Sequence, residues 1–187
     1  MRDLFRGELV RLTAEDPETI AKSEVRWQRD TELGRLLDSA PVHLFSEKGI
    51  REWTEKRFEE IKPERHSFSV RTLAEDKLIG FFGIYVELIH SEAWVGIGIG
   101  ERDFWSKGYG TDMMKLCLRY AFMELGVQRM SLGLHSYNER ALRSYEKAGF
   151  QLEGRTRQDI LREGKRTDTL WMGILREEWM QQNGVEA

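Results

Sequence analysis

Residues 92–111 read EAWVGIGIGERDFWSKGYGT. The first part, Glu92 to Gly100, is expected to be a strand, with Gly96, Gly98 and Gly100 at alternate positions. Alternate residues of a strand share one face. The pattern therefore predicts a face of bare backbone against which something else can lie. The second part, Phe104 to Thr111, leads into a helix predicted over Tyr109 to Leu125. A helix start carries unpaired N–H groups and a partial positive charge. Gly108 and Gly110 clear side chains from the path of an anion, and Lys107 adds a donor, so the segment reads as a phosphate seat. It is neither the Walker loop nor the G-x-G-x-x-G fingerprint of dinucleotide folds. On these residues alone, a loop whose glycines only ease a tight turn reads equally well.

Upstream, Leu9 to Leu12 is expected as a short strand, followed by helices around Glu18 to Asp30 and after the N-cap Ser46. The second helix carries Ile50, Trp53, Phe58 and Ile61 at helical spacing and ends at Pro63. Phe68, Val70 and Thr72 then alternate with polar residues. Ala74 to Lys77 reads as a turn and Leu78 to Leu88 as the return strand of an antiparallel hairpin. Downstream of the opening stretch, Met113, Leu116, Cys117, Tyr120 and Ala121 make one stripe on the helix, which Gly126 closes. A strand over Arg129 to Leu134, a helix over Glu139 to Ala148, a hairpin of Thr156 to Leu161 with Arg166 to Ile174, and a tail helix from Arg176 complete the chain. Strands come first and then alternate with helices. That order predicts an α+β fold with a mixed sheet flanked by helices, not a doubly wound parallel sheet.

Composition narrows the function classes. The 187 residues contain three prolines and no linker-like tract, so one domain over 1–187 is expected. The 29 Lys and Arg against 32 Asp and Glu leave no basic excess, which speaks against nucleic acid as partner. No apolar run approaches the ~18–20 residues that span a bilayer, and Met1 to Arg11 lacks a leader-type apolar core. The cytoplasm is the expected location. The single cysteine, Cys117, reads as a small core residue. His43, His66, His90 and His135 show no ligand spacing, so no metal is expected.

A second segment sharpens the reading. Residues 138–150 are NERALRSYEKAGF, and with FWSKGYGT at 104–111 they resemble the two signature segments of the GNAT superfamily of acyl-CoA N-acyltransferases. VRWQRD at 25–30, AWVGIGIG at 93–100 and TDTLWMGILREEW at 167–179 extend the likeness over nearly the whole chain. The nearest branch resembles the ribosomal-protein alanine and spermidine acetyltransferases. The resemblance implies a twisted, mostly antiparallel sheet splayed near its centre. It also implies acetyl-CoA as co-substrate and a primary amine as acceptor, with a protein N-terminus first and a polyamine or an aminated antibiotic behind it. A homodimer is left open. Ile97, Gly98 and Ile99 match the strand that pairs with pantetheine, and Lys107, Gly108, Tyr109, Gly110 and Thr111 match the pyrophosphate loop. Asn138 matches a residue that bonds the pantetheine arm or a water. Tyr145 matches the phenol that protonates the departing thiolate. Arg143 and Lys147 read as solvated helix charges within range of a 3′-phosphate.

The chemistry fits these parts. An amine attacks the thioester, an N–H of Ile97 or Gly98 is placed to hold the oxyanion, and a phenol donates to the leaving thiolate. The chain departs from the pattern at Trp94, where many relatives carry a glutamate. Glu87, His90, Glu92 or a water chain remain as bases for the amine. That gap motivates the rival reading of a non-catalytic acyl-CoA sensor. Trp105 stands where many superfamily members carry Gln or Arg. Trp27 and Asp30 are expected near the acceptor, and Trp53, Trp94 and Trp171 as core or pocket walls. Asp168 is expected to face the acceptor or pair with Arg166.

Overall fold

The computed structural model describes residues 3–60 and 62–185. Ile61, expected at the end of an apolar stripe, and Met1 and Arg2, part of the stretch read for a leader, lie outside the described residues. Seven strands form one sheet in the order β1-β2-β3-β4-β5-β7-β6. They are β1 (Val10–Thr13), β2 (Arg65–Thr72), β3 (Leu78–Glu87), β4 (Glu92–Ile99), β5 (Arg129–His135), β6 (Gln151–Arg162) and β7 (Lys165–Leu175). Every neighbouring pair is antiparallel except β4 and β5. That parallel step needs a crossover, which α4 (Tyr109–Met123) supplies. The mixed, mostly antiparallel α+β sheet expected from the sequence is the one observed.

The sheet is closed at one end and open at the other. β4 pairs with β5 only from Glu92↔Arg129 to Trp94↔Ser131. β4 then stays paired to β3 through Ile99, and β5 to β7 through His135. From Val95 onward the two strands part, which is the expected central splay.

One face of the sheet buries Phe82, Ile84, Ala93, Met130, Leu132 and Met172 under Met113, Leu116 and Cys117 of α4. Each large apolar side chain of this core contributes about 1.5–3 kcal/mol. α5 (Glu139–Ala148) packs beside α4, and α6 (Arg176–Asn183) against β7. Near the other face, α1 (Pro17–Trp27) packs on α3 (Glu47–Glu59). Asp16 caps α1 by accepting from the Thr19 amide at 2.9 Å, with Pro17 at the first helical position.

Three expectations are corrected. The helix foreseen to Asp30 stops at Trp27, because the Asp30 carboxylate caps a separate helix, α2 (Thr31–Leu37), by accepting from the Glu32 and Leu33 amides. Trp53 and Phe58 lie on the outer side of α3 and are 56% and 47% exposed, while Ile50 and Thr54 face inward. The final hairpin is longer than expected, running from Gln151 to Leu175.

Candidate active site

The splay opens into a cleft of about 1270 Å³. One end of it is built by α4 and α5. Gly108 caps α4 at φ +91°, a left-handed conformation that favours glycine. No side chain caps this helix, and its first internal hydrogen bond runs from the Asp112 N–H to the Gly108 carbonyl at 3.0 Å. The amides ahead of Asp112 are thus the free donors that helix geometry leaves at an N-terminus. Gly108, Gly110 and Thr111 line the cleft. A Cβ on Gly110 would come within 3.6 Å of Ser144 Oγ, which shares a 2.9 Å hydrogen bond with Thr111 Oγ1. Lys107 is exposed and Tyr109 turns to an edge-on contact with Phe104, so neither side chain lines the cleft. What they can offer an anion is the backbone amide alone.

The strand edge follows from the ladder. The Gly100 N–H donates to the Ile79 carbonyl at 2.8 Å. Alternation along an antiparallel pair then directs the peptide groups of Gly98 and Gly96 to β3, and those of Val95, Ile97 and Ile99 into the splay. Of the two amides considered for the oxyanion, Ile97 faces the gap and Gly98 does not. The Ile99 carbonyl already accepts from Trp105 Nε1 at 2.8 Å.

The three glycines expected to bare one face differ in what meets them. A Cβ on Gly100 would lie 2.0 Å from Trp27 Cδ2, and one on Gly98 would lie 2.9 Å from Phe81 Cζ. At Gly96 nothing lies within 4 Å. The protein covers two of the positions itself, and only Gly96 stays bare.

Tyr145 lines the cleft and is 8% exposed. Burial, with a smaller contribution from Cys117, pushes its hydroxyl up to about 12. It therefore stays protonated, as a proton donor must. Asn138 is buried and caps α5, its Oδ1 accepting from the Ala141 amide at 3.1 Å. Its Nδ2 is 3.5 Å from the Leu36 carbonyl. Arg143 and Lys147 reach the same cleft, although Arg143 also pairs with Glu139 at 3.2 Å.

Sequence reasoning missed the Arg140–Trp105 stack. The Arg140 guanidinium sits 3.5 Å over the Trp105 ring centroid, with Arg102 at 4.8 Å. Arg102 binds both Asp30 and Glu32, and holds the Asp30 carboxyl below the usual range. Burial lowers the Arg140 pKa, and that cation lines the cleft.

The other end is lined by Glu24, Trp27, Phe45, Arg57, His135 and Trp171 among others. Beyond it a shallower recess, sharing Gly83, Val95 and Gly96 with the cleft, is lined by Arg65, Tyr85 and Trp94. Trp94 meets Trp171 edge-on at 5.9 Å. Trp171 and Trp94 are thus walls as expected, whereas Trp53 is not. Asp30 is a helix cap outside the cleft. Asp168 binds the Gln158 amide and pairs with Arg155 at 3.2 Å, not with Arg166. The bases considered from the sequence lie elsewhere: Glu87 and Glu92 face each other at the closed end of β3 and β4, and His90 lies in the turn between them. Glu92 is held by Ser131 Oγ at 2.6 Å and by Arg129. Among the described residues, no group of His, Cys, Asp or Glu is arranged to hold a metal ion, and no helix is long and apolar enough to cross a membrane.

An uncapped helix start, a parted pair of strands and a buried phenol in one cleft define an acyl-CoA-dependent N-acyltransferase. The chain belongs to the GNAT acetyltransferase family, whose acetyltransferase (GNAT) domain pattern matches residues 6–151. It is similar to the SPbeta prophage-derived uncharacterized N-acetyltransferase YokL of Bacillus subtilis, with 29% identity over 96% of this chain and 97% of that one. The putative ribosomal N-acetyltransferase YdaF of the same organism is 24% identical over 90% of each chain. Among solved structures, spermidine N-acetyltransferase from Vibrio cholerae, crystallised with CoA and spermine, superposes with a TM-score of 0.80. That likeness has 21% identity and covers 91% of this chain and 98% of that one.

Proposed function

We propose that this N-acetyltransferase moves the acetyl group of acetyl-CoA directly onto a primary amine, with the N-terminal amine of a protein as its acceptor. The observation that carries this reading is the uncapped start of α4 opening into the same cleft as the Tyr145 hydroxyl. The free amides from Lys107 to Thr111 receive the diphosphate, with Arg140, Arg143 and Lys147 near it. The Ile97 and Ile99 edge of β4 receives the pantetheine arm in place of β5. The Ile97 N–H holds the oxyanion formed as the amine attacks, and Tyr145 gives its proton to the thiolate as the C–S bond breaks. The protein mainly supplies orientation, since the thioester is already activated.

The open recess beyond Gly96 supports a chain-like acceptor, because it continues the cleft across β3 and β4. The spermidine enzyme among the structural neighbours supports a polyamine as the competing acceptor. A free-thiol release assay with acetyl-CoA decides between them when a short peptide with a free N-terminus competes against spermidine. The peptide is expected to have the higher kcat/KM. Preference for spermidine would overturn the peptide assignment. Acetyl-CoA bound without turnover of any amine in a broad panel would overturn acetyl transfer to amines.

A further inference from the structure

Acetyl transfer needs a neutral amine, and an amine near neutral pH is mostly ammonium. Trp94 occupies the position where many relatives carry a glutamate, and Glu87, His90 and Glu92 lie away from the cleft. The cleft does contain other acids. Asp38 and Asp159 are committed to the backbone, accepting from the Ala40 amide at 2.9 Å and the Thr169 amide at 3.0 Å. Glu24 is different. It lines the cleft from α1, is half-buried, and among the described residues its carboxylate accepts no hydrogen bond.

Two neighbours mark its surroundings. One turn further along α1, Trp27 covers the backbone of Gly100 at the end of β4. On α3, Arg57 is the charged group that acts on Glu24, and the same guanidinium reaches across to Ser67 Oγ on β2. Ser67 is in register with Gly83 on β3, and Gly83 with Gly96 on β4. These three positions form one row across the sheet, with strands about 4.8 Å apart. A Cβ on Gly83 would meet only Ser67 Oγ, at 3.7 Å, and His66 O, at 3.9 Å. At Gly96 it would meet nothing within 4 Å. The row therefore runs as an open slot from Ser67, which Arg57 bonds, to the point where β4 leaves β5, within the cleft that Glu24 also lines.

We propose that Glu24 is the general base: the acceptor's ammonium enters along the Gly83–Gly96 slot and gives its proton to the Glu24 carboxylate. This rests on the N-acetyltransferase reading above. The N–H electron pair stays on nitrogen, which then attacks the thioester carbonyl. The second nitrogen proton balances the one Tyr145 gives to the thiolate, so one proton is released to water per turnover. Burial raises the Glu24 pKa despite the opposing charge of Arg57, which suits a base better than an ordinary carboxylate. Arg57 on α3 is the cation beside it, and His43 lines the same cleft from the loop after α2. The β3 residues at this end of the cleft, Phe81, Phe82 and Gly83, carry no charge. His135 is a weaker candidate. Its Nε2–H donates to the Asp38 carbonyl at 3.2 Å and its Nδ1 is buried without a partner.

The test is Glu24→Gln, which keeps the shape. Acetyl-CoA affinity by calorimetry is expected to stay within twofold. The fall in acceptor kcat/KM at pH 7 is expected to follow the scarcity of free amine: about six- to elevenfold for a peptide N-terminus and at least 100-fold for spermidine, whose amines titrate near those of lysine. With either acceptor the deficit should shrink toward about twofold as the pH reaches the amine's own pKa, because free amine then needs no base. A merely structural role would leave the deficit constant with pH, and that result would overturn the proposal, as would a variant equal to the parent. Either outcome leaves the N-acetyltransferase reading standing, since the parent is active in both. A parent that binds acetyl-CoA but acetylates no amine would overturn both.

Discussion

Asp112 sits in the first turn of α4, immediately behind the proposed diphosphate seat, and is 8% exposed. Its Oδ2 accepts from the Leu9 amide at 2.8 Å and the Val10 amide at 3.0 Å, and its Oδ1 from the Glu8 amide at 3.1 Å. One carboxylate thus ties the entry to β1 onto the helix. A hydrogen bond to a charged group is worth about 1.5–3 kcal/mol. Glu8 and Leu9 are exposed and can return their N–H groups to water, whereas Val10 is fully buried. Asp112→Ala removes all three bonds and orphans the Val10 amide, for an expected loss of about 4 kcal/mol. Asp112→Asn, with its oxygen at the Oδ2 position, keeps the Leu9 and Val10 bonds and loses the one to Glu8. It should cost about 1.5–2 kcal/mol. At roughly 2–4 °C per kcal/mol for a chain of this size, Tm should fall by about 8–16 °C for alanine and about 3–8 °C for asparagine. Urea denaturation followed by circular dichroism, with calorimetry for Tm, measures both. An alanine variant that loses under about 1 kcal/mol would refute the reasoning. So would equal losses for the two variants, because Oδ2 holds two of the three donors and Oδ1 only one.

Tyr145→Phe should leave acetyl-CoA affinity unchanged and lower kcat by roughly 10²–10⁴-fold, read by stopped thiol release. With the parent hydroxyl pushed up to about 12, activity should show no descending limb from this group below about pH 11. Gly100→Ala drives a methyl into the Trp27 ring and should cost about 1–3 kcal/mol by urea denaturation. Gly96→Ala meets open space and should be neutral or stabilising by up to about 1 kcal/mol, while raising the acceptor KM by narrowing the slot. Cys117 is fully buried with its thiol pushed up by burial, so a thiol reagent should label the native protein at the rate of global unfolding, and faster labelling would contradict the burial.

The sheet was legible because its signals are local. The alternation of Phe68, Val70 and Thr72, the apolar run from Leu78 and the Gly-rich strand each declare a strand without knowledge of its partners. α2 was not legible. Seven residues with Gly34 among them show no apolar period, and only Asp30 as cap announces the helix. Trp53 and Phe58 misled for the opposite reason: their spacing is helical, but the buried side of α3 is the one carrying Ile50 and Thr54. The cofactor end of the cleft was read from two contiguous segments. The acceptor end is assembled from α1, the loop after α2, α3 and β7. Glu24 carries no signal in the sequence, because only the fold sets it in the cleft with Arg57 and the Gly83–Gly96 row.

The same assembly explains why the glycine-rich strand needed a structure to interpret. A sequence shows that Gly96, Gly98 and Gly100 share a face, but not what lies against it. At Gly100 the answer is the Trp27 ring, which anchors α1 to the rim of the splay. At Gly98 it is Phe81, with Leu37 Cδ2 at 3.0 Å from the added Cβ. Those contacts seat α1 and α2 against the end of β4, with Glu24 lining the cleft from α1. Gly96 then serves the opposite purpose, as the one position where the roof stands clear of the floor. Two glycines hold the proposed acceptor site together and the third keeps it open, so substitutions at the three should separate: loss of stability at Gly100, loss of acceptor affinity at Gly96, and a mixture of the two at Gly98.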